Sequence, residues 1–215
     1  IMNIDHANSH SSFQDKVSMS NLCQEITLPT VPLQHIDGDG EIALCILSAI
    51  NVGTLKDLDE LEELCEVAVR ALDEIIDYQN YPVTAAEIST KARRSLGIGY
   101  IGLAHYLAKN QVKYGDKGAI KVVHELTEAF QYYLIKASVE LAKEKGKCEY
   151  FDRTKYAKGE LPIDHYKKDL DEVCSVKMKK NWDKLRKEIA EFGMRNSTLS
   201  VSYTHLRAHE TTVYL

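Results

Sequence analysis

"EIALCILSAIN", residues 41–51, is β-branched and nearly continuous in apolar residues, the pattern of a strand buried on both faces of a parallel sheet. Directly after it, Leu58, Leu61, Cys65, Ala68, Leu72 and Ile75 recur at three- and four-residue steps, which predicts an amphipathic helix over 57–78. Strand followed by helix is a βα unit. A second apolar stretch, "LGIGYIGLAHYLA" at 96–108, reads as a Gly-rich strand running into a short helix. Val122, Leu126, Ala129, Phe130, Tyr133, Ala137 and Leu141 then mark a long helix stopped near Gly146. Shorter helices are expected over 163–174, after Pro162, and over 180–192, and "RNSTLS" at 195–200 begins another strand. Upstream, "IMNIDHANSH" reads as the end of a strand, 7–20 as a Ser-, Asn- and His-rich loop, "SNLCQEITLPT" at 20–30 as an extended segment closed by Pro29 and Pro32, and "DGDG" at 37–40 as a turn. The class is α/β, with helices covering buried parallel strands.

Composition narrows the function classes. The chain has 215 residues, enough for one sizeable core, and 44% hydrophobic with 27% charged residues is the balance of a globular domain rather than a disordered or repeated one. A net charge of −5 opposes a phosphate-neutralising surface, so nucleic acid is not expected as a partner, although the sequence leaves open a local basic patch at Lys91, Arg93 and Arg94. Apolar runs such as "IALCILSAI" at 42–50 are too short to cross a bilayer and no signal peptide is seen, so no membrane partner is expected and the expected compartment is the cytoplasm. Five cysteines without a CxxC pair argue against a disulfide framework or a zinc site; any thiol chemistry is then catalytic or redox-active. Both ends read as cut. The opening lacks an initiator Met, and from Val201 "VSYTHLRAHET" has no amphipathic period and matches the translation of a transposase-type sequencing adaptor. Residues 201–215 are therefore read as a non-native tail and 1–200 as the domain piece.

Two motifs have bland readings. "GIGYIG" places Gly97, Gly99 and Gly102 in a G-x-G-x-x-G pattern, the dinucleotide fingerprint when a strand precedes it. Here the preceding "TAAEISTKARR" is charged and helix-prone, so the six residues are read as the strand itself. His6 and His10, beside Asp5, have a helical ligand spacing, but on a strand end and loop they are expected to hold no metal. Cys65 lies on its helix's apolar stripe and is read as core, whereas Cys148 and Cys174 sit among polar and charged neighbours and suggest nothing specific.

Asn21, Cys23 and Glu25 remain. In an extended segment these alternate positions face one side, bringing amide, thiol and carboxylate into one small space. Cys45 follows 22 residues later within the predicted buried strand, so two thiols and a carboxylate can share a pocket. On the residues alone two rivals stand: a nicotinamide-dependent oxidoreductase built on "GIGYIG", and a non-catalytic interaction domain in which "SNLCQE" is only a loop.

The ordered stretches "DHANSHSSF", "SNLCQEITLPT", "GEIALCILSAIN", "RRSLGIGYIGLAHYLAK", "QYYLIKASVELAKEKG", "YAKGELPIDHYKKDLD" and "RNSTLS" resemble the large catalytic subunit of ribonucleotide reductases, most closely the bacterial class I enzymes. The resemblance runs from Ile1 to about Ser200. It implies part of a ten-stranded α/β barrel with "NLCQE" at the tip of an internal finger loop. It further implies that Cys23 becomes a transient thiyl radical that abstracts the 3′ hydrogen of a ribonucleotide, that Glu25 is the general base on the 3′ hydroxyl, and that Asn21 hydrogen-bonds the ribose hydroxyls. All three would touch substrate. Cys45 would be one thiol of the reducing pair, with its partner on a strand before Ile1.

By the same resemblance the complete protein takes ribonucleoside diphosphates as substrate. It pairs with a metal-containing, radical-generating small subunit, is re-reduced by thioredoxin or glutaredoxin, responds to ATP and dNTP effectors and forms a homodimer of large subunits. No cofactor or metal is expected on this piece itself, and the piece alone is expected to be inactive. The regulatory ATP-binding domain, the phosphate-binding loop and the tyrosines of the radical path are not found in it.

Overall fold

In a computed structural model the chain is described over residues 3–21, 27–35, 40–165, 168, 172 and 176–200. The tail 201–215, Cys174 and most of the expected 163–174 helix lie outside the described residues, as does the expected turn at 37–40 apart from Gly40. Eight elements position the site: α1 Ile4–His10, β1 Ile46–Asn51, α2 Glu60–Tyr78, α3 Thr84–Arg93, β2 Leu96–Ile101, α4 Leu103–Lys109, α5 Lys117–Lys145 and α6 Trp182–Phe192. Pro162–Asp164 forms a single 3-10 turn where the 163–174 helix was expected to begin.

Strands β1 and β2 are parallel, from Ile46 opposite Leu96 to Asn51 opposite Ile101. "RNSTLS" comes in along β2, where Leu96 N donates to Thr198 O at 3.0 Å and Ile98 N to Leu199 O at 2.7 Å. Ile98 and Ser200 make a parallel bridge, the start of a third strand as the sequence predicts. Each crossover is helical, which is the α/β class.

The first strand departs from expectation in two ways. It begins at Ile46 rather than residue 41, because Glu41 pairs its backbone with Val31 and Ile42 N donates to Ala85 O at 3.2 Å. Nor is it buried on both faces: α2 packs beside it and Ile50 is buried, while Leu47 and Ala49 are exposed. In β2, by contrast, Leu96 to Gly99 are all buried. The opening segment is also not a strand. Ile4, Ala7, Asn8 and Ser11 share one partly covered helical face, and Ala7 N donates to Asn3 O and Ser11 N to Ala7 O, both at 3.0 Å.

The helical layer is an apolar core. Leu61, Cys65, Val69, Leu72 and Ile76 of α2, Leu126, Phe130, Leu134 and Ile135 of α5, and Trp182, Leu185 and Ile189 of α6 belong to one buried cluster. Glu128 pins α6 to α5, its buried carboxylate accepting from Lys179 N and Lys180 N at 2.8 Å and from Trp182 Nε1 at 3.1 Å.

The local basic patch that the sequence left open does not form as a surface. Lys91 is exposed and paired with Glu87, but Arg93 and Arg94 are only 1% and 4% exposed. Arg94 donates through Nε to Asp73 Oδ1 at 2.6 Å and through Nη1 and Nη2 to Asp77 at 2.9 and 2.8 Å. Asn196 Nδ2 joins the same Asp73 oxygen at 3.0 Å, tying the third strand's entry to α2. Helical spacing brings Asp73 and Asp77 together on α2 to meet Arg94, while Arg93 turns to Glu41 and Asp15.

The glycine motif resolves as a strand. Gly97 and Gly99 lie within β2, and Gly102 precedes α4 at φ +78°. A Cβ on Gly102 would collide with Asn51 Oδ1, which accepts from Gly53 N at 3.1 Å to cap the 3-10 turn Val52–Thr54 after β1.

Candidate functional site

Where the three strands start, a small cavity of about 180 Å³ is lined by Ser11, Thr27, Leu28, Cys45, Leu96 and Thr198, among others. The lining residues come from several separate segments of the chain. Ser11 follows α1, Cys45 sits one residue before β1, Leu96 opens β2 and Thr198 opens the third strand. Thr27 and Leu28 are the first described residues after the Asn21–Cys23–Glu25 stretch. The thiol of Cys45 and the outgoing stem of that stretch therefore open on one space.

Cys45 is half-buried and reduced, at the foot of β1 rather than within a buried strand, with its Sγ 4.0 Å from Ile46 O. Asn21 is exposed, and its Oδ1 accepts from Ser20 Oγ at 3.3 Å. Cys23 and Glu25 lie outside the described residues. The incoming stem is held by Asn8, a residue no motif singled out: its Oδ1 accepts from Val17 N at 2.7 Å, and its Nδ2 donates to Val17 O and Ile4 O, both at 2.9 Å. One amide thus reads both backbone groups of Val17 and fixes α1 against the stem. Lys155 caps α1 from the far side, donating to Asn8 O at 3.1 Å and Ser9 O at 2.8 Å; desolvation holds its ammonium below the usual lysine range.

The other described thiols are placed for packing. Burial pushes Cys65 and Cys148 each up to about 12, so neither carries an appreciable thiolate fraction near neutrality. Cys65 as core agrees with its apolar stripe. Cys148 corrects the sequence reading, which gave it polar surroundings: its polar neighbours in the chain turn outward while its own side chain joins the core. The α1 helix gives His6 and His10 the i, i+4 relation that a metal pair favours; the His6 side chain lies outside the described residues, and His10 Nδ1 is 2.7 Å from Ser9 Oγ. Among the described residues no group of three or more His, Cys, Asp or Glu side chains is arranged to hold a metal, and no helix is long and apolar enough to cross a membrane.

A larger cavity of about 710 Å³, lined by Val123, His124, Gln131, Met178 and Trp182 among others, lies against α5 and contains none of the predicted site residues. Size alone does not mark the site. The smaller space is the one where strand starts and a reduced thiol converge.

A family model described as the barrel domain of ribonucleotide reductase matches residues 1–202. The ribonucleoside-diphosphate reductase subunit alpha of Haemophilus influenzae is 60% identical over 204 residues, 93% of this chain and 27% of that protein. The subunit alpha of Buchnera aphidicola subsp. Schizaphis graminum is 57% identical, and the ribonucleoside-diphosphate reductase 1 subunit alpha of Escherichia coli K12 is 54% identical, with the same coverage of each chain. The chain spans about a quarter of the length of these curated relatives, 27% in each case.

Proposed function

We propose, since this chain belongs to the ribonucleotide reductase barrel-domain family, that its full-length protein reduces ribonucleoside diphosphates to deoxyribonucleoside diphosphates by thiyl-radical chemistry. The observation that carries the reading is the cavity at the strand starts, shared by Cys45 and the stem leaving the Asn21–Cys23–Glu25 stretch, within a chain matched by the family over residues 1–202. Residues 1–200 are taken as the central part of the barrel domain and 201–215 as foreign to it.

Cys23 takes the 3′ hydrogen as its thiyl radical becomes a thiol. Sulfur suits the task because S–H and ribose C–H bonds are close enough in strength for reversible transfer. Glu25 accepts the proton of the 3′ hydroxyl, and Asn21 orients the ribose by hydrogen bonding. Loss of the 2′ hydroxyl as water leaves a species two electrons short of product. Cys45 and a second thiol supply those electrons and end as a disulfide, which a thioredoxin- or glutaredoxin-type dithiol reduces for the next turnover. Return of the hydrogen from Cys23 to the 3′ position regenerates the thiyl radical. A closed barrel keeps such intermediates from solvent. The radical comes from a metal-containing small subunit, ATP and dNTP effectors act on other parts of the protein, and the full-length large subunit is a cytoplasmic homodimer.

The test is made in the full-length protein with its small subunit. Cys23→Ser abolishes turnover and release of the 3′ hydrogen, whereas Cys45→Ser retains 3′-hydrogen release but loses normal deoxynucleotide formation. Normal turnover by Cys23→Ser would sink the reading. The isolated 215-residue chain shows no turnover.

A further inference from the structure

We infer that Arg93 is a positioning residue for this chemistry, clamping both stems of the segment that carries Asn21, Cys23 and Glu25 onto one buried guanidinium; the inference rests on the reductase reading above. Arg93 ends α3 and is 1% exposed. Its Nε donates to Glu41 Oε2 at 2.8 Å, its Nη2 lies 2.7 Å from the same oxygen, and its Nη1 donates to Asp15 Oδ2 at 3.1 Å. Arg153 closes the figure, with Nε 2.8 Å from Asp15 Oδ2 and Nη1 3.4 Å from Glu41 Oε1. Two guanidiniums and two carboxylates thus alternate in a ring whose charges cancel. The Tyr150 ring stacks with both cations, at 5.1 Å from the Arg93 centre and 4.2 Å from that of Arg153, and Phe13 lies 5.3 Å from Arg93.

The two carboxylates bracket the chemistry in sequence. Asp15 precedes Asn21 by six residues and Glu41 precedes Cys45 by four. Glu41 also exchanges both backbone hydrogen bonds with Val31, at 3.1 and 3.0 Å, so the outgoing stem is laced to the same carboxylate-bearing residue. The segment between residues 15 and 41 therefore leaves and returns through stems that meet on Arg93. From there the chain runs through Arg94 and Ser95 into β2; Ser95 O accepts from Ile46 N, beside Cys45, at 3.2 Å, and Arg93 O accepts from Ser197 N at 3.0 Å. The starts of all three strands are referenced to one junction.

The Arg93–Glu41 half of the ring is buried, and a buried ion pair is a poor way to gain stability, since well-packed apolar residues commonly do as well. Its fork geometry does fix direction and register, which a lone ammonium cannot reproduce. Registering the Cys23 segment against Cys45 matters because a misplacement of about 1 Å can cost on the order of a hundredfold in rate.

The experiment uses the full-length protein with its small subunit and measures kcat, KM for a ribonucleoside diphosphate and melting temperature. Arg93→Lys keeps the charge and loses the fork: a positioning role predicts kcat reduced about ten- to a hundredfold with KM and melting temperature near wild type. Kinetics and melting temperature that are both restored by lysine would reduce Arg93 to charge balance and overturn the inference. Should Arg93→Lys fail to fold, Asp15→Asn, Glu41→Gln and their combination carry the test. Both carboxylates act within one shared ring, so the combined loss in kcat falls short of the product of the single losses by about threefold or more. Strictly multiplicative losses, or wild-type kcat in all three, overturn it. A wild-type protein without reductase turnover instead removes the underlying functional reading, a result separable from failure of the clamp.

Discussion

The helical layer and the strand starts are held by different forces. Between α2, α5 and α6 the core contacts are apolar, and Leu61, Val69, Leu126, Leu134 and Leu185 have no exposed surface, with Glu128 and exposed pairs such as Arg70–Glu144 at the margin. At the strand starts the contacts are directional: the amide of Asn8 on Val17, the Arg93 ring, and the Arg94–Asp73–Asn196 network. Apolar packing resists unfolding but says little about register. Hydrogen bonds and ion pairs contribute less net stability, yet they place atoms to within a few tenths of an ångström. The layer makes the domain stable, and the strand starts make it specific.

Breaking one side should leave the other legible. The largest effect falls on chemistry: Glu25→Gln in the full-length protein lowers kcat about 10²- to 10⁴-fold, read by deoxynucleotide formation, with thermal melting unchanged. In the helical layer, Leu134→Ala removes a fully buried side chain and costs about 2–5 kcal/mol by denaturant unfolding, while the protein that remains folded keeps its KM. Gly102→Ala strains the φ +78° backbone and drives a methyl into Asn51 Oδ1, costing roughly 1–3 kcal/mol by the same measurement.

Asp77→Asn is the mildest and tests the boundary between the two regions. The hydrogen-bonded Arg94 guanidinium holds the Asp77 carboxyl below its ordinary value of 3.8, so its stabilisation is present above that pH and fades as pH falls through the depressed folded value. Half of that side chain is in solvent, which keeps the effect below about 1 kcal/mol at neutral pH. Melting curves of the two proteins should therefore separate near pH 7 and converge in acid.

The layered part was legible because period is a local property. Leu61, Cys65 and Leu72 announced α2, and Leu126, Tyr133 and Leu141 announced α5, without reference to anything distant. The glycines of "GIGYIG" were recognisable as strand because a charged helical stretch preceded them. The strand starts were less legible. Arg93 and Arg94 left a basic patch open because their partners, Asp15, Glu41, Asp73 and Asp77, lie 17 to 78 positions away and carry no signal of pairing. The opening alternation hid a helix for the same reason, since Asn8 finds Val17 only once the chain has turned back. For Asn21, Cys23 and Glu25, alternation alone offers one side of an extended segment; their chemical roles came from the resemblance in whole stretches of text, and family membership agrees with the resemblance.

The bond from Ser12 Oγ to Ser197 O, at 3.0 Å, joins positions 185 residues apart, and the Phe13–Thr154 bridge is also long in range. Contacts of such long range carry a large loop-closure entropy and form only after nearer ones have shortened the effective chain. The helical layer can therefore condense first, leaving the strand starts to assemble last. Amide hydrogens around Ser12 and Ser197 should accordingly exchange through a shallower opening than those of α5, so the domain loses its chemical address before it loses its shape.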